Sequence, residues 1–369
     1  MSPVSPDLVS LLRTDCPAES LQATLSGRAA GAAWEALLAE AAAERVGPLL
    51  YQVARPYRRL LPAPAWEQLQ RVYQSAAVVS IAQLREWDWI VRRLAGGGVD
   101  LLVLKGVPLA QELYGDPVLL PMQDLDLLIR REQLAATQGA LAERGYTPYV
   151  GELFPGATER FESEVTLLRA DAASGLTYVC EPHWHLVDSP FYQRRISVDW
   201  FWQTARPARL GSADVKVLGR EALLLYLCAH LALYHRGARL LWLCDIDLLL
   251  RREGERLDWE RLLAKAREYV LVLPLRAVLA QAVDVLGAPL PGDIAERLAR
   301  LEPGAAEQKA FAAISGADPQ AGGRARFLNH LAQMPGWSAR LEYLLANTFP
   351  DRAYMRRRYG FRRAWLLPF

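Results

Sequence analysis

Apolar positions along the chain follow two periods, and the changeovers between them divide it into three parts. Up to about residue 95 the period is helical. In "AAWEALLAEAAAERVGPLLYQVA" the apolar residues recur at helical spacing among Ala, Leu and Glu, which favour helix. "PAPAWEQLQRVYQSAAVVSIAQLREWDWIVRRLAGGG" predicts one long helix, stopped by Gly96, Gly97 and Gly98. Short apolar runs then take over. "VDLLVLKG" predicts a buried strand ending in glycine, "VPLAQELYG" a helix, "MQDLDLLIR" a second strand, and "REQLAATQGALAERGY" an amphipathic helix ending at Gly145. "TPYV", "EVTLLRA" and "LTYVCEPHWHLV" are strand-like. From about residue 216 the helical period returns. "GREALLLYLCAHLALYHRG" and "ARLLWLCDIDLLLRREG" predict an αα-hairpin turning at Gly237, and "LDWERLLAKAREYVLVLPLRAVLAQAVDVLG" continues in helix. "SGADPQAGGRAR" reads as a loop. The expected class is α+β, mostly helical: a helical region at 1–95, an α/β core at 96–215, and a helical region at 216–369 with a basic tail.

Composition narrows this picture. Of the 369 residues 52% are apolar, enough for a substantial core, and the net charge of +2 steers towards no partner class. Cys16, Cys180, Cys228 and Cys244 form no CxxC pair, which predicts a reduced, cytoplasmic protein without disulfides. The first residues lack the basic-then-apolar order of a signal peptide, and charges interrupt the longest apolar runs, so no membrane span is expected.

The chemistry concentrates in the middle part. In a strand, residues two apart share a face, so Asp124 and Asp126 project together, with Leu125, Leu127 and Ile129 on the other side. Two adjacent carboxylates repel, and a hard divalent cation resolves the conflict. Glu181, on a later strand-like segment, is the natural third carboxylate, and three such groups suit two metal ions. Upstream, Gly106 lets backbone amides approach a phosphate at a helix start, and Lys105 supplies a point charge for a triphosphate.

These residues carry a resemblance. "LKGVPLAQELYGDP", "MQDLDLLI", "EPHWHL" and "LCAHLALYHRGARLLWLCDIDLLL" are similar to an uncharacterised bacterial nucleotidyltransferase family of the polymerase-β-like superfamily, related to toxin-type nucleotidyltransferases. The resemblance covers most of the chain. It implies a small mixed sheet flanked by helices and Mg²⁺-dependent transfer of a nucleoside monophosphate from an NTP to an acceptor. Two Mg²⁺ ions are implied, with Mn²⁺ an alternative. Asp124, Asp126 and Glu181 match the metal-binding and catalytic carboxylates, and Lys105 and Gly106 match the nucleotide-binding turn. His183 and Asp245 match family positions, and Arg239 lies near the second. The chain departs from the pattern twice. Val107 follows Gly106 where relatives have Ser or Gly, and Leu120 stands where the family carries an arginine four residues before the first Asp.

Other readings stay open. His183 and His185 have a zinc-ligand spacing, but Pro182 argues against a regular central strand there. Asp245 and Asp247 lie in a helical pattern that turns them apart, so they do not converge on one metal; Arg239 and Asp245 suit a structural ion pair or a place beside the nucleotide. His230 and His235 read as packing or capping groups. In the tail, Arg352, Arg356, Arg357, Arg358, Arg362 and Arg363 alternate with Tyr354, Tyr359, Phe361 and Trp365. Such a stretch binds RNA or covers apolar surface with arginine stems. A catalytically degenerate nucleotide- or partner-binding module, and a toxin-like enzyme acting on RNA, are the two alternatives to the transferase.

Overall fold

The computed structural model describes residues 4–27, 31–235, 239–316 and 322–359. The long helix runs over Ala63–Gly96 and spans about 50 Å. Its second half buries Trp87, Ile90, Val91 and Leu94, while its first half presents small side chains, Ser75, Ala76 and Val79, to a cleft. It ends at the glycines as the sequence predicts: the Gly97 amide reaches back to the carbonyls of Arg93 and Leu94, and Gly98 takes φ +76°.

The strands follow. They are β1 (Leu101–Val103), β2 (Leu125–Ile129), β3 (Thr147–Pro148), β4 (Leu167–Asp171), β5 (Leu176–His183), β6 (Arg206–Leu210) and β7 (Ala213–Val217). They form one sheet in the order β3-β4-β5-β2-β1-β7-β6. β2 pairs with β5, and β1 with β7, in parallel; the remaining pairs are antiparallel. The class is therefore α+β, with helix predominating around a seven-stranded mixed sheet. Every position of β1 and β2 is buried, as expected for central strands covered on both faces.

Three local expectations need correction. β5 runs unbroken through Pro182, in the centre of the sheet. The ladder to β4 stops at Leu167 opposite Cys180, and beyond it the Val165 amide bonds the Pro182 carbonyl at 3.1 Å. The neighbour there asks for an acceptor, which proline still has. The β6–β7 hairpin was not anticipated. Its signal was present: Gly211 and Ser212 form a two-residue turn with φ +59° at Gly211, followed by alternating buried and exposed positions in β7. Finally, part of the glycine-rich stretch read as a loop is helical from Gly322 to Gln333. Arg326 anchors that helix to Asp188 at 2.9 Å and Glu162 at 2.7 Å, a tertiary contact that overrides local propensity.

The αα-hairpin is present as helices Arg220–Leu233 and Leu240–Glu253; Gly237 lies outside the described residues. With Val272–Leu286 these helices contribute to one buried apolar cluster that runs from Leu8 to Ile314 and includes β1, β2 and β5. All four cysteines are free. Among the described residues no helix is long and apolar enough to cross a membrane.

Candidate active site

The site begins where β1 ends. The Leu104 amide still bonds the Asp126 carbonyl at 3.1 Å, and then the chain turns at Lys105 and Gly106. Gly106 takes φ +77°, and a side chain there would meet Met122 Sδ at 3.2 Å, so the position requires glycine. Helical turns follow over Val107–Leu109 and Ala110–Tyr114.

Register brings the acids together. In the parallel β2–β5 pair, Asp126 sits opposite Glu181 and Leu128 opposite His183. Ligand atoms of Asp126, Glu181 and His183 lie within 4.8 Å of one another. Asp124 falls just before β2 and is only half-buried. Lys105 Nζ links the two aspartates, 3.2 Å from Asp126 Oδ2 and 3.9 Å from Asp124 Oδ1. The ammonium that the sequence suggests for a triphosphate thus faces the carboxylates.

His183 Nε2 lies 3.1 Å from Asp126 Oδ1, and its Nδ1 lies 2.8 Å from Glu164 Oε2. Burial disfavours the charged ring, but Glu164 and Asp126 raise its pKa to about 10, so it carries a proton, hydrogen-bonds Asp126 and ion-pairs with Glu164. Asp126 is buried, which favours the neutral acid, yet Lys105 and His183 hold it well below the usual carboxylate range. Its neighbours go the other way. Burial, then the Asp126 charge, pushes Asp124 to about 6 and Glu181 to about 7. Thr166 Oγ1 donates to Glu181 at 2.9 Å. Four carboxylates, Asp124, Asp126, Glu164 and Glu181, therefore share two cations, Lys105 and His183. Among the described residues, Asp126, Glu181 and His183 are those whose ligand atoms lie close enough to hold a metal ion, with Asp124 outside that group; while protonated, His183 orients Asp126 instead.

Several residues enter that the sequence did not single out for this place. His230 Nε2 lies 3.3 Å from Lys105 Nζ and 3.0 Å from His235 Nε2. Burial and the nearby Lys105 charge keep His230 neutral, so it accepts from the ammonium. His235, held neutral the same way at about 3, stacks on Trp242 at 3.7 Å. These histidines were read as packing groups; His230 instead positions Lys105. Glu164 and Thr166 also went unremarked. Asp245 and Asp247 diverge as expected. Tyr114 donates to Asp245 at 2.7 Å, and Asp247 pairs with Arg251 at 2.9 Å. Burial raises Asp245 to about 7, against the Tyr114 hydrogen bond. Of the two readings for Arg239 and Asp245, the ion pair is not found among the described residues; the Arg239 guanidinium lies over Trp242 at 5.5 Å. His185 stays out of the cluster, its Nδ1 accepting from the Leu186 amide. Leu120 is buried in the core.

Beside the acids a cleft of about 770 Å³ opens between the N-terminal helices, the long helix and β5. Asp124 stands at one wall, with Arg45, Ala76, Val79, Gln83 and Met122 among the others. Gln83 and Arg45 shape this wall by donating to the carbonyls of Met122 and Pro121 at 3.0 and 2.8 Å.

Residues 30–287 match the model of a family described as an uncharacterised nucleotidyltransferase. The chain belongs to that family. The matched span covers most of the chain and includes the whole sheet, the acid cluster, Lys105 and both helices of the hairpin. Nucleotidyltransferase activity, with a nucleotide as substrate, follows from membership. No curated protein and no solved structure matches the chain. The basic tail lies outside the matched span. Arg352 and Arg356 are exposed on its helix, and the side chains of Arg357, Arg358, Tyr359, Phe361, Arg362, Arg363 and Trp365 lie outside the description.

Proposed function

We propose that this nucleotidyltransferase moves a nucleoside monophosphate from an NTP to a hydroxyl-bearing acceptor, with Mg²⁺ as cofactor and release of pyrophosphate. The observation that carries the reading is the cross-strand pair Asp126–Glu181, with Asp124 beside it at the cleft wall. Asp124, Asp126 and Glu181 would hold the metal, which when bound neutralises charge developing on the transferred phosphate. The arrangement of strand, glycine turn, helix, Asp-x-Asp strand and acidic strand supports a polymerase-β-like core.

The residues divide the work. In the transfer, the acceptor oxygen bonds to the α-phosphorus while the bond to the bridging oxygen breaks, and that electron pair leaves on pyrophosphate. The acceptor proton needs a base. Glu181, opposite Asp126 in the β2–β5 pair, is suited to take it. Asp126, kept ionised by Lys105 and His183, is suited to remain an anion throughout. The apolar cleft supplies room for the acceptor and excludes water from the reacting centre.

Calorimetry of NTP binding with and without Mg²⁺ tests this on the wild type and on Asp124→Asn/Asp126→Asn. The expected result is metal-dependent binding that the double variant loses. A folded wild type that binds no NTP under either condition would overturn the reading.

A further inference from the structure

The structure brings two arginines from distant parts of the chain near one another, Arg45 on the cleft wall and Arg239 at the start of helix Leu240–Glu253. Glu44 is buried, and its Oε2 accepts from the Leu240 amide at 2.8 Å. That bond fastens the N-terminal helical region to the start of helix Leu240–Glu253. The residue after Glu44 is Arg45, and the residue before Leu240 is Arg239. The fastening therefore carries both arginines to one place.

Both backbones take positive φ. Arg45 has φ +63° and Arg239 φ +108°. Among the described residues only Val270 shares positive φ without being glycine. Such conformations are disfavoured for residues with a side chain and gather at functional sites. Arg45 takes its positive φ where its helix closes, the Val46 amide reaching the Ala41 carbonyl at 2.8 Å, and Arg239 takes it at the N-cap of helix Leu240–Glu253.

The charges are also unbalanced. Among the described residues no carboxylate pairs with either guanidinium at ion-pair distance. Burial and the charge of Arg239 lower the Arg45 pKa, with Asp124 opposing. Lys105, Arg239 and Arg45 all bear on His235. Arg239, Trp242, His235 and His230 form a continuous line of contacts that ends at Lys105. Arg45 lines the same cleft as Asp124. Cations held near each other beside a metal-binding set, without carboxylate partners, suit a ligand with several anionic oxygens. Two planar forks suit phosphate geometry better than ammonium groups do.

We propose that Arg45 and Arg239 form the polyphosphate clamp of this site, holding the β- and γ-phosphates of the nucleotide and the departing pyrophosphate. Naming the anion as a nucleotide rests on the transferase reading; the anion site itself does not.

Inorganic tripolyphosphate is therefore the probe, titrated with Mg²⁺ into the whole chain and compared with ATP and AMP. Each of Arg45→Gln and Arg239→Gln should weaken tripolyphosphate and ATP binding about ten- to a hundredfold, as loss of charge-assisted hydrogen bonds does. AMP binding should change less than twofold, roughly, because its single phosphate lies on the acid side of the clamp. Melting of the unliganded variants shows whether they fold. If a glutamine variant does not, Arg45→Lys and Arg239→Lys keep the charge while losing the fork, and should still weaken both polyanions. Folded variants that bind tripolyphosphate like the wild type would overturn the clamp, as would a wild type that binds none. Should ATP binding fall in Asp124→Asn/Asp126→Asn but not in the arginine variants, the transferase reading stands and the clamp falls. Should tripolyphosphate bind through the arginines while no NTP is used, the clamp stands and the transferase reading falls.

Discussion

Two buried acidic groups in this protein sit in opposite electrical settings. Glu86, on the long helix, is a single carboxylate served by Arg144 and Arg169, each at 2.9 Å, and by the Tyr146 hydroxyl at 3.2 Å. Burial alone would raise its pKa, but the two arginines win and lower it. At the cleft, several carboxylates share one lysine and one histidine, and Asp124 and Glu181 are pushed up towards neutrality. Glu86 has more positive charge around it than it needs, which pins the long helix to the sheet. The acid cluster has less than it needs, which leaves an appetite for cations. Burial is common to both, so burial alone does not mark a functional acid. The balance of charge around it does.

The sharpest way to break this contrast is to neutralise one acid from each group. Asp126→Asn should lower transfer by about a thousandfold or more, because it removes a metal oxygen and the partner of Lys105 and His183. Glu86→Gln should cost about 3 kcal/mol of stability by stranding two arginines, with activity per folded molecule unchanged. Urea unfolding and a turnover assay on both variants check the pair. If Glu86→Gln lost activity while folded, the division into structural and functional acids would be wrong.

A second contrast lies in pH. With metal chelated, Asp124 and Glu181 bind protons more tightly folded than unfolded, since their folded pKa values of about 6 and about 7 exceed the ordinary 3.8 and 4.5. Their contribution to stability therefore falls as pH rises from about 4 to about 7. Glu86 and Asp126 have lowered values, so their contribution is present above the ordinary carboxylate range and is lost in acid. Asp124→Asn should reduce the slope of the stability profile between about pH 4 and about pH 6, leaving the Glu181 slope up to about pH 7 and the acid limb in place. Glu86→Gln should do the reverse. Unfolding curves across that range, in chelator, would show an unchanged slope in Asp124→Asn if the cluster were already balanced.

The smallest effect concerns the cleft. Ala76 lies on its wall, on the long helix. Ala76→Trp should raise the acceptor KM by roughly tenfold with little change in kcat, since it fills binding space. Equal loss in kcat would place the acceptor elsewhere.

Much of the acid site was legible in the sequence because strand periodicity is local. Asp126 shows on its strand and the wording around Glu181 points to its partner strand, but Asp124 falls before the strand begins and outside the close group of Asp126, Glu181 and His183. Gly106 was legible as a turn. What escaped depends on docking between distant segments. His230 and His235 sit in an apolar helical pattern that says "core", and only the placement of that helix against Lys105 shows what they touch. Arg45 ends an alanine-rich helix with nothing in its neighbourhood to mark it. Pro182 misled because the rule against proline in central strands concerns its missing amide, whereas the adjoining chain uses its carbonyl. The β6–β7 hairpin was short, and its Gly-Ser turn was passed over.

The hydrogen bond from Leu240 to Glu44 joins residues 196 positions apart. During synthesis Glu44 leaves the ribosome long before its partner exists. The strands emerge in between, so the acids can meet across β2 and β5 while the arginine wall is still incomplete. A partly made chain thus carries an acid cluster but no matching grip on a polyanion. The grouping of Arg45 with Arg239 is completed only when the second helical region docks.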